Sequence, residues 1–135
     1  MQVHHKIAGI ILRDGKMLMY RKPDEPHFIM AGGRAEPGES PGKTLERELS
    51  TKFGLTLRDM RYWNTYQAPH FRDKDKIVDM EVYLTVVEGE PHAKKEAGVA
   101  EIAWVDSHYK ENGLQVASIN EDNLIPELKR FGLIN

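Results

Sequence analysis

Residues 33–55 read GRAEPGESPGKTLERELSTKFGL, and this stretch decides the fold. Ser40 is a favourable N-cap residue, Pro41 follows it where a missing N–H has no cost, and Gly54 is a typical left-handed stop. Between these signals the apolar residues recur every four positions, at Leu45, Leu49 and Phe53. Because this spacing places them on one stripe, the sequence predicts a helix over residues 41–53 that packs against a core.

The segments that flank this helix have the patterns of β-strands. Residues 7–12 are apolar throughout, which suits a strand covered on both faces, and residues 13–16 supply a turn into a second strand over residues 17–20. Further strands are predicted beyond the helix, over residues 57–67, 77–87 and 99–105. The last predicted element is a helix over residues 120–131, and Pro126 can interrupt its first turns.

One predicted strand, over residues 77–87, alternates between apolar and polar positions. One face carries Val78, Met80, Val82, Leu84 and Val86. The opposite face carries Asp79, Glu81, Tyr83 and Thr85. Because successive side chains of a strand point to opposite faces, the first set is expected in the core and the second set in solvent or at a functional surface.

The composition is that of one soluble globular domain, residues 1–135. Hydrophobic residues make up 40% of the chain and charged residues 30%, and a chain of this length can bury a core without disulfides. It contains no cysteine, which excludes a disulfide scaffold, a thiol nucleophile and a thiolate zinc site. The formal net charge of −2 gives no positive field for a polyanion, so we expect no nucleic-acid partner. No segment has the length and apolarity of a membrane span or a signal peptide, so we expect no membrane partner and a cytoplasmic protein.

Several residues of the helix and of the loop before it stand at a distinctive spacing. They are Gly33, Glu39, Arg47, Glu48 and Gly54, with bulky apolar residues at Leu49 and Leu55. The pattern resembles the Nudix box, G-x5-E-x7-R-E-U-x-E-E-x-G-U, in which U is a bulky apolar residue. The resemblance implies a Nudix-like α/β/α sandwich with a mixed β-sheet, in the α+β or α/β class. It also implies hydrolysis of nucleoside diphosphates that are linked to another moiety.

Features outside the box agree with this resemblance, which covers residues 5–106. Gly9 stands in an apolar opening strand, as the family's first strand usually carries a glycine. Residues 31–33, Ala-Gly-Gly, occupy the place of the family's Pro-Gly-Gly. Glu101 and Trp104 match a Glu-x-x-Trp-like strand near the end of the sheet.

The box departs from the family pattern at Thr51 and Lys52, where the family carries adjacent glutamates that bind the catalytic magnesium. At about 100° per residue, positions 48, 51 and 52 share one side of the helix, so three glutamates there would converge on one cation. Here Glu48 alone remains. Relative to the family's two glutamates, Thr51 makes the site more positive by one charge unit and Lys52 makes it more positive by two. We therefore expect that a full metal cluster cannot form.

The resemblance also assigns roles to the other acidic and basic residues of the box. Glu48 is the candidate catalytic carboxylate and a candidate metal ligand, and Glu36 in the loop is a candidate displaced metal ligand. Glu39 and Arg47 complete the catalytic candidates, and we interpret them as a pair that holds the loop against the helix. Glu96 lies in a later loop, where some family members keep a carboxylate that serves as base or ligand.

Gly32, Gly33 and Lys52 are candidate substrate-binding residues within the box region. The two glycines permit close approach of the backbone, either as a phosphate cradle or as turn residues. Two interpretations of Lys52 stay open. It can form a surface ion pair with Glu48, four residues earlier, or its ammonium can replace the charge of the metal and grip a substrate phosphate.

Candidates outside the box are fewer. Arg21, followed by Lys22, ends the second strand at a point where many family members place a cation that contacts substrate. Aromatic residues that could stack on a base are Trp63, Tyr66, Phe71 and Tyr83. Core packing is the commoner role of aromatic residues in strands.

Three functional hypotheses follow, and in all of them we expect metal-dependent hydrolysis to be weak or lost. The first is a residual hydrolase that uses Mg²⁺ or Mn²⁺ in a smaller site, built from Glu36, Glu39, Glu48 and Glu96. The second is a non-catalytic nucleotide-binding sensor, and the third is a protein-interaction module, neither of which needs a metal. The first two take a small nucleotide derivative as partner, and a homodimer is compatible with the sequence.

Overall fold

The predicted helix is confirmed in the computed structural model, which describes residues 2–70 and 73–135. Helix α1 covers Pro41–Phe53, and the Ser40 hydroxyl at its N-cap accepts a hydrogen bond from the Lys43 backbone N–H at 3.2 Å. Gly54 ends the helix with a φ of 72°, in the left-handed region that favours glycine. The predicted apolar stripe is fully buried at Leu45, Leu49 and Phe53.

The other elements are strands and short helical segments. The strands are β1 (Gln2–Ile10), β2 (Leu12–Arg13), β3 (Lys16–Arg21), β4 (His27–Gly33), β5 (Thr56–Pro69), β6 (Lys76–Glu88), β7 (Glu101–Val105) and β8 (Gln115–Val116). The second α-helix, α2 (Ile125–Arg130), follows a π-helical turn over Asn120–Leu124. A 3-10 turn covers Lys95–Ala97.

Strand β1 makes the sheet a mixed one. It pairs with β4 in antiparallel orientation, from Ile7 opposite Gly33 to Gly9 opposite Ala31, and with β6 in parallel orientation. The order across the sheet is β2-β3-β4-β1-β6-β5, with β7 paired to β3 and β8 paired to β4. Because pairing with β4 stops at Ile7, the first half of β1 extends past the end of β4.

Strand β3 shows that the sheet lies between two helical layers. Leu18 and Tyr20 belong to an apolar cluster that includes Leu49 and Phe53 of α1. Met17 and Met19 belong to a second cluster, to which the C-terminal helical segment contributes Leu124, Ile125 and Leu128. Since alternate residues of a strand point to opposite faces, α1 and α2 cover opposite faces of the sheet. The expected α/β/α sandwich with a mixed sheet, an α+β fold, is therefore confirmed.

The ends of the chain differ from the sequence prediction in two places. The first strand begins at Gln2 and breaks at Ile11, so the predicted hairpin is made by the short β2 with β3. The C-terminal helix opens as a π-helical turn, in which the Ile125 backbone N–H bonds to the Asn120 carbonyl oxygen. Pro126 lies just after this turn in the first positions of α2, where its missing N–H has little cost.

The alternation predicted along β6 is wrong at its end. Val86, expected in the core, is 57% exposed, whereas Thr85 on the face expected to be polar is buried. The missing side chain of Gly9 makes room for Thr85, because a Cβ at Gly9 would lie 2.8 Å from the Thr85 hydroxyl. Separately, no helix within residues 2–70 and 73–135 is long and apolar enough to span a membrane.

Candidate functional site

Glu39 and Arg47 fasten the loop that precedes α1 to the helix. Arg47 Nε donates to Glu39 Oε2 and Arg47 Nη2 donates to Glu39 Oε1, each at 2.8 Å, which is a bidentate arrangement. The same carboxylate accepts hydrogen bonds from the Glu36 backbone N–H and the Thr44 hydroxyl, both at 2.9 Å. The hydrogen bonds from Arg47 lower the pKa of Glu39 to about 2. These contacts fit the clamp that we expected, and a catalytic role for either residue stays a prediction.

Glu48 lies almost buried between α1 and β4, with 8% of its surface exposed. Its Oε1 accepts a hydrogen bond from Arg47 Nη1 at 2.8 Å, and its Oε2 lies 3.0 Å from Lys52 Nζ. Gly33 makes room for the carboxylate, because a Cβ at Gly33 would lie 2.5 Å from Glu48 Cδ. Gly32 and Gly33 lie in strand β4, so the alternative that they are turn residues is wrong, and their role as a phosphate cradle stays a prediction. Both oxygens of Glu48 are already bound by cationic side chains.

The Lys52 ammonium is surrounded by oxygen atoms from three parts of the chain. Its Nζ donates to the Tyr20 hydroxyl and to the Gly32 carbonyl oxygen, each at 2.8 Å, and lies 3.0 Å from Glu48 Oε2. An ammonium has three N–H donors, so these contacts engage all of them. Burial alone would lower the pKa of Lys52, but the contacts with Tyr20 and Glu48 raise it above its ordinary value.

The expected surface ion pair between Glu48 and Lys52 needs a correction. The pair forms, but the side chains are only 11% and 16% exposed, respectively. Tyr20 is buried under the ammonium and Gly32 closes another side of it. The lysine is therefore part of the interior of the site and not a solvated helix residue.

The donor set around Lys52 does not fit a bound magnesium ion. Mg²⁺ prefers carboxylate oxygens in octahedral geometry, whereas both oxygens of Glu48 are held by Arg47 and Lys52. The remaining oxygens, from Tyr20 and Gly32, surround an ammonium whose charge repels a second cation. In the part of the chain that the structure describes, no three His, Asp or Glu side chains are grouped as a metal site.

A cavity of about 310 Å³ opens beside Lys52. The cationic side chains in its wall are Lys6, Lys22, Arg34 and Lys52, and its carboxylates are Glu25 and Glu48. The cavity therefore has an excess of positive charge, although the whole chain has a net charge of −2. Apolar side chains also line it, at Ile29, Val78, Met80, Ala117 and Ile119. A cavity of this composition suits an anion attached to a less polar group.

Histidines and an asparagine complete the wall of the cavity. Its histidines are His4, His5, His27 and His70. The Nδ1 of His4 lies 2.6 Å from Arg34 Nη2, and burial together with the charge of Arg34 lowers the pKa of His4. Asn120 is 1% exposed, and its Oδ1 has no hydrogen-bond partner among the described residues. An N–H of a ligand could satisfy this buried acceptor.

The other candidates from the sequence do not join the cavity wall. Arg21 Nε donates to Glu101 Oε1 at 3.1 Å, and its Nη1 donates to the Glu25 carbonyl oxygen at 3.3 Å. The Glu36 side chain is 67% exposed. Glu96 is exposed in the 3-10 turn. Arg21 as a substrate contact and Glu36 as a metal ligand therefore stay predictions, with no contact here that supports them.

The aromatic candidates have mainly structural partners. Trp63 Nε1 donates to the Tyr66 hydroxyl at 2.8 Å and to Glu127 Oε1 at 3.0 Å, and Tyr66 also hydrogen-bonds to Glu127. These bonds connect β5 to α2, outside the cavity wall. Tyr83 packs edge-on against Tyr62. Phe71 lies outside the described residues.

Sequence reasoning missed Lys6 and Asn120 as members of the cavity. Lys6 precedes the apolar run 7–12 and looks like an ordinary strand end, while Asn120 falls at the start of a predicted helix. Both enter the cavity through the curvature of the sheet and the placement of the C-terminal segment, which no local spacing encodes. The one available signal was the position of Lys6, a charged residue directly before the apolar run 7–12.

Comparison with known proteins defines the class of this chain. The NUDIX domain family matches residues 3–115, and the chain therefore belongs to the Nudix family. The crystal structure of a Nudix hydrolase family member from Chromobacterium violaceum shares the fold, with a TM-score of 0.73 and 22% identity over 96% of this chain and 78% of that chain.

Sequence relatives include two named enzymes. An ADP-ribose pyrophosphatase of Methanocaldococcus jannaschii is 24% identical over 128 residues, which cover 93% of this chain and 72% of the relative. A CTP pyrophosphohydrolase of Escherichia coli K12 is 34% identical over 71 residues, which cover 50% of this chain and 53% of the relative.

Proposed function

We propose that the protein binds a nucleoside diphosphate linked to another moiety in the cavity beside α1, and that metal-dependent hydrolysis of the diphosphate is weak or lost. The observation that carries this proposal is the Lys52 ammonium, which is held by oxygens of Tyr20, Gly32 and Glu48. The protein's relatives include an ADP-ribose pyrophosphatase and a CTP pyrophosphohydrolase. These relatives support a nucleotide with linked phosphates as the ligand.

The charges at the site favour binding over turnover. Hydrolysis of a diphosphate by the family's chemistry requires metal ions that neutralise developing charge and a carboxylate that takes a proton from water. Here Lys52 contributes one fixed positive charge, and both oxygens of Glu48 are already bound by the cationic side chains of Arg47 and Lys52. The positive cavity still attracts phosphate groups. The protein is therefore expected to bind the ligand even though it hydrolyses the diphosphate weakly or not at all.

Thermal unfolding and product analysis on the same samples test this proposal. The purified chain is mixed with ADP-ribose, CTP or a nucleoside diphosphate sugar, in excess EDTA or in Mg²⁺. We expect at least one ligand to raise the melting temperature in EDTA, because a ligand that binds only the folded state stabilises it, and we expect little or no cleavage in Mg²⁺.

Two results would overturn this proposal. Rapid Mg²⁺-dependent cleavage that Glu48→Gln abolishes would establish the residual hydrolase. Failure of every ligand to stabilise the protein, in EDTA and in Mg²⁺ alike, would leave the protein-interaction module as the remaining hypothesis.

A further inference from the structure

Lys6 and Lys22 bring N–H donors to the cavity that the described protein does not use. Lys6 Nζ donates one hydrogen bond, to the Met30 carbonyl oxygen at 2.7 Å. An ammonium has three donors, so two remain for a ligand. Within residues 2–70 and 73–135, the Lys22 side chain makes no direct hydrogen bond or ion pair. Both side chains line the same cavity.

Lys52 differs from these two lysines in what it can offer a phosphate. The three donors of Lys52 are engaged by Tyr20, Gly32 and Glu48, so a phosphate can bond to it only by displacing one of them. Lys52 therefore supplies a fixed charge, while Lys6 and Lys22 have donors to give.

The cations of the cavity repel one another in the absence of a ligand. Burial lowers the pKa of Lys6 well below its usual range, and the nearby charges of Lys52 and Lys22 lower it further. Burial and Lys52 likewise lower the pKa of Lys22. Like charges gathered in a partly desolvated cavity are unfavourable unless an anion compensates them. The carboxylates in the wall offset this only in part. Glu48 raises the pKa of Lys6 and Glu25 raises that of Lys22, but burial and the neighbouring cations keep both pKa values lowered.

We propose that Lys6 and Lys22 bind the diphosphate of the ligand directly, beside the fixed charge of Lys52, so that this site holds a diphosphate without a divalent cation. The two ammonium groups donate to different phosphate oxygens, and charge-assisted hydrogen bonds of this kind are the strong ones. The inference rests on the proposed function for the nucleoside part of the ligand. The phosphate part can be tested alone, with inorganic pyrophosphate.

Isothermal titration of the full chain in excess EDTA is the test, with inorganic pyrophosphate and ADP-ribose as separate probes. The variants are Lys6→Met and Lys22→Gln, and the control is Lys129→Met, an exposed lysine of α2 outside the cavity. We expect each cavity variant to weaken pyrophosphate binding about tenfold or more, which corresponds to one lost hydrogen bond to a charged group. The control should bind like the native chain.

The outcomes separate this inference from the proposed function. If the native chain does not bind pyrophosphate in EDTA, or binds it equally well after both substitutions, the lysine site is refuted. If ADP-ribose and the other nucleotides bind in EDTA without help from either lysine, the proposed function stands and this inference fails. If pyrophosphate binding depends on the lysines but no nucleotide binds, the inference stands and the proposed function fails.

Folding of the variants is checked by their melting temperatures and circular dichroism spectra. Lys22 is not a buried residue, so Lys22→Gln is expected to fold normally, and it is the deciding variant if Lys6→Met does not fold. Added salt provides an independent check. Charge attraction in a solvent-connected cavity is screened, so pyrophosphate affinity should fall as potassium chloride is raised.

Discussion

Lys52 Nζ lies 3.0 Å from Glu48 Oε2, and both side chains are largely withdrawn from solvent. The two residues lie one helical turn apart. In the Nudix box both positions are carboxylates that share a metal, whereas here they form a buried ion pair. The pair neutralises the Glu48 carboxylate and places an ammonium group beside it. Under the proposed function, the site therefore attracts an anion and not a cation.

Removal of the ammonium should destabilise the fold. Lys52→Met leaves the Glu48 carboxylate and the Gly32 carbonyl without one of their partners, and breaking a buried pair in this way costs about 3 kcal/mol or more. Urea unfolding measures the loss. Lys43→Met is the matched control, because its ion pair with Glu46 on the same helix is exposed and 3.7 Å long. We expect a loss below about 1 kcal/mol for that control. Equal losses would show that Lys52 is not buried as described.

Gly33→Ala should disturb the same carboxylate. The new Cβ would lie 2.5 Å from Glu48 Cδ, so Glu48 must move away from Arg47 and Lys52. Overpacking of this kind costs about 1–3 kcal/mol of folding free energy. Gly42→Ala is the control, because the nearest contact of its Cβ is the Met60 sulfur at an ordinary 3.6 Å. Thermal unfolding of the two variants should separate them. A Gly33→Ala protein as stable as the control would contradict the contact.

The clamp between Glu39 and Arg47 predicts a definite pH dependence. Hydrogen bonds from Arg47 lower the pKa of Glu39 from 4.5 to about 2. A carboxylate whose pKa is depressed by folding stabilises the fold above its unfolded pKa and loses that contribution as the pH falls toward the folded value. The difference in unfolding free energy between the native chain and Glu39→Gln should therefore be largest near neutral pH and shrink below about pH 4.5.

Urea unfolding at a series of pH values measures this difference. Glu46→Gln serves as the control, because Glu46 has only an exposed contact with Lys43, and its substitution should have a small effect at every pH. A Glu39→Gln effect that stays constant from neutral pH to about pH 3 would be incompatible with the clamp.

Trp63 should matter for stability and not for ligand binding. Its Nε1 donates to Glu127 Oε1 at 3.0 Å, and its ring packs edge-on against Phe131. Trp63→Phe removes the hydrogen bond and should lower the free energy of unfolding by about 1–2 kcal/mol. Affinity for ADP-ribose should stay unchanged, because Trp63 is not part of the cavity wall. A loss of affinity without a loss of stability would instead indicate that Trp63 stacks on the ligand.

The helix and its loop could be predicted closely from the sequence because their signals are local. An N-cap serine, a proline and a terminal glycine fix the limits of α1, and its apolar stripe fixes the buried face. The box spacing then places Glu39, Arg47 and Glu48 together through one helix and one loop. The structure agrees with each of these expectations at the level of contacts.

The cavity could not be predicted because its wall comes from distant segments. Lys6 belongs to β1, Lys22 follows β3, and Asn120 begins the C-terminal helical segment. Their proximity depends on strand order and on how the sheet curls, and neither is written in a local pattern. The burial of Lys52 was missed for a similar reason. Its partners, Tyr20 and Gly32, lie 32 and 20 positions away in the chain, in other strands.

The double substitution Thr51→Glu, Lys52→Glu tests whether the Lys52 ammonium, in place of a carboxylate, prevents metal-dependent hydrolysis. It is compared with the native chain and with Thr51→Glu alone. Each protein is assayed for Mg²⁺-dependent hydrolysis of ADP-ribose, CTP and a nucleoside diphosphate sugar. We predict that only the double variant gains hydrolysis, because it alone loses the ammonium and places new carboxylates beside Glu48 and the Gly32 carbonyl. Rapid Mg²⁺-dependent hydrolysis by the native chain, with Lys52 in place, would show that the ammonium does not keep a catalytic metal out of the site.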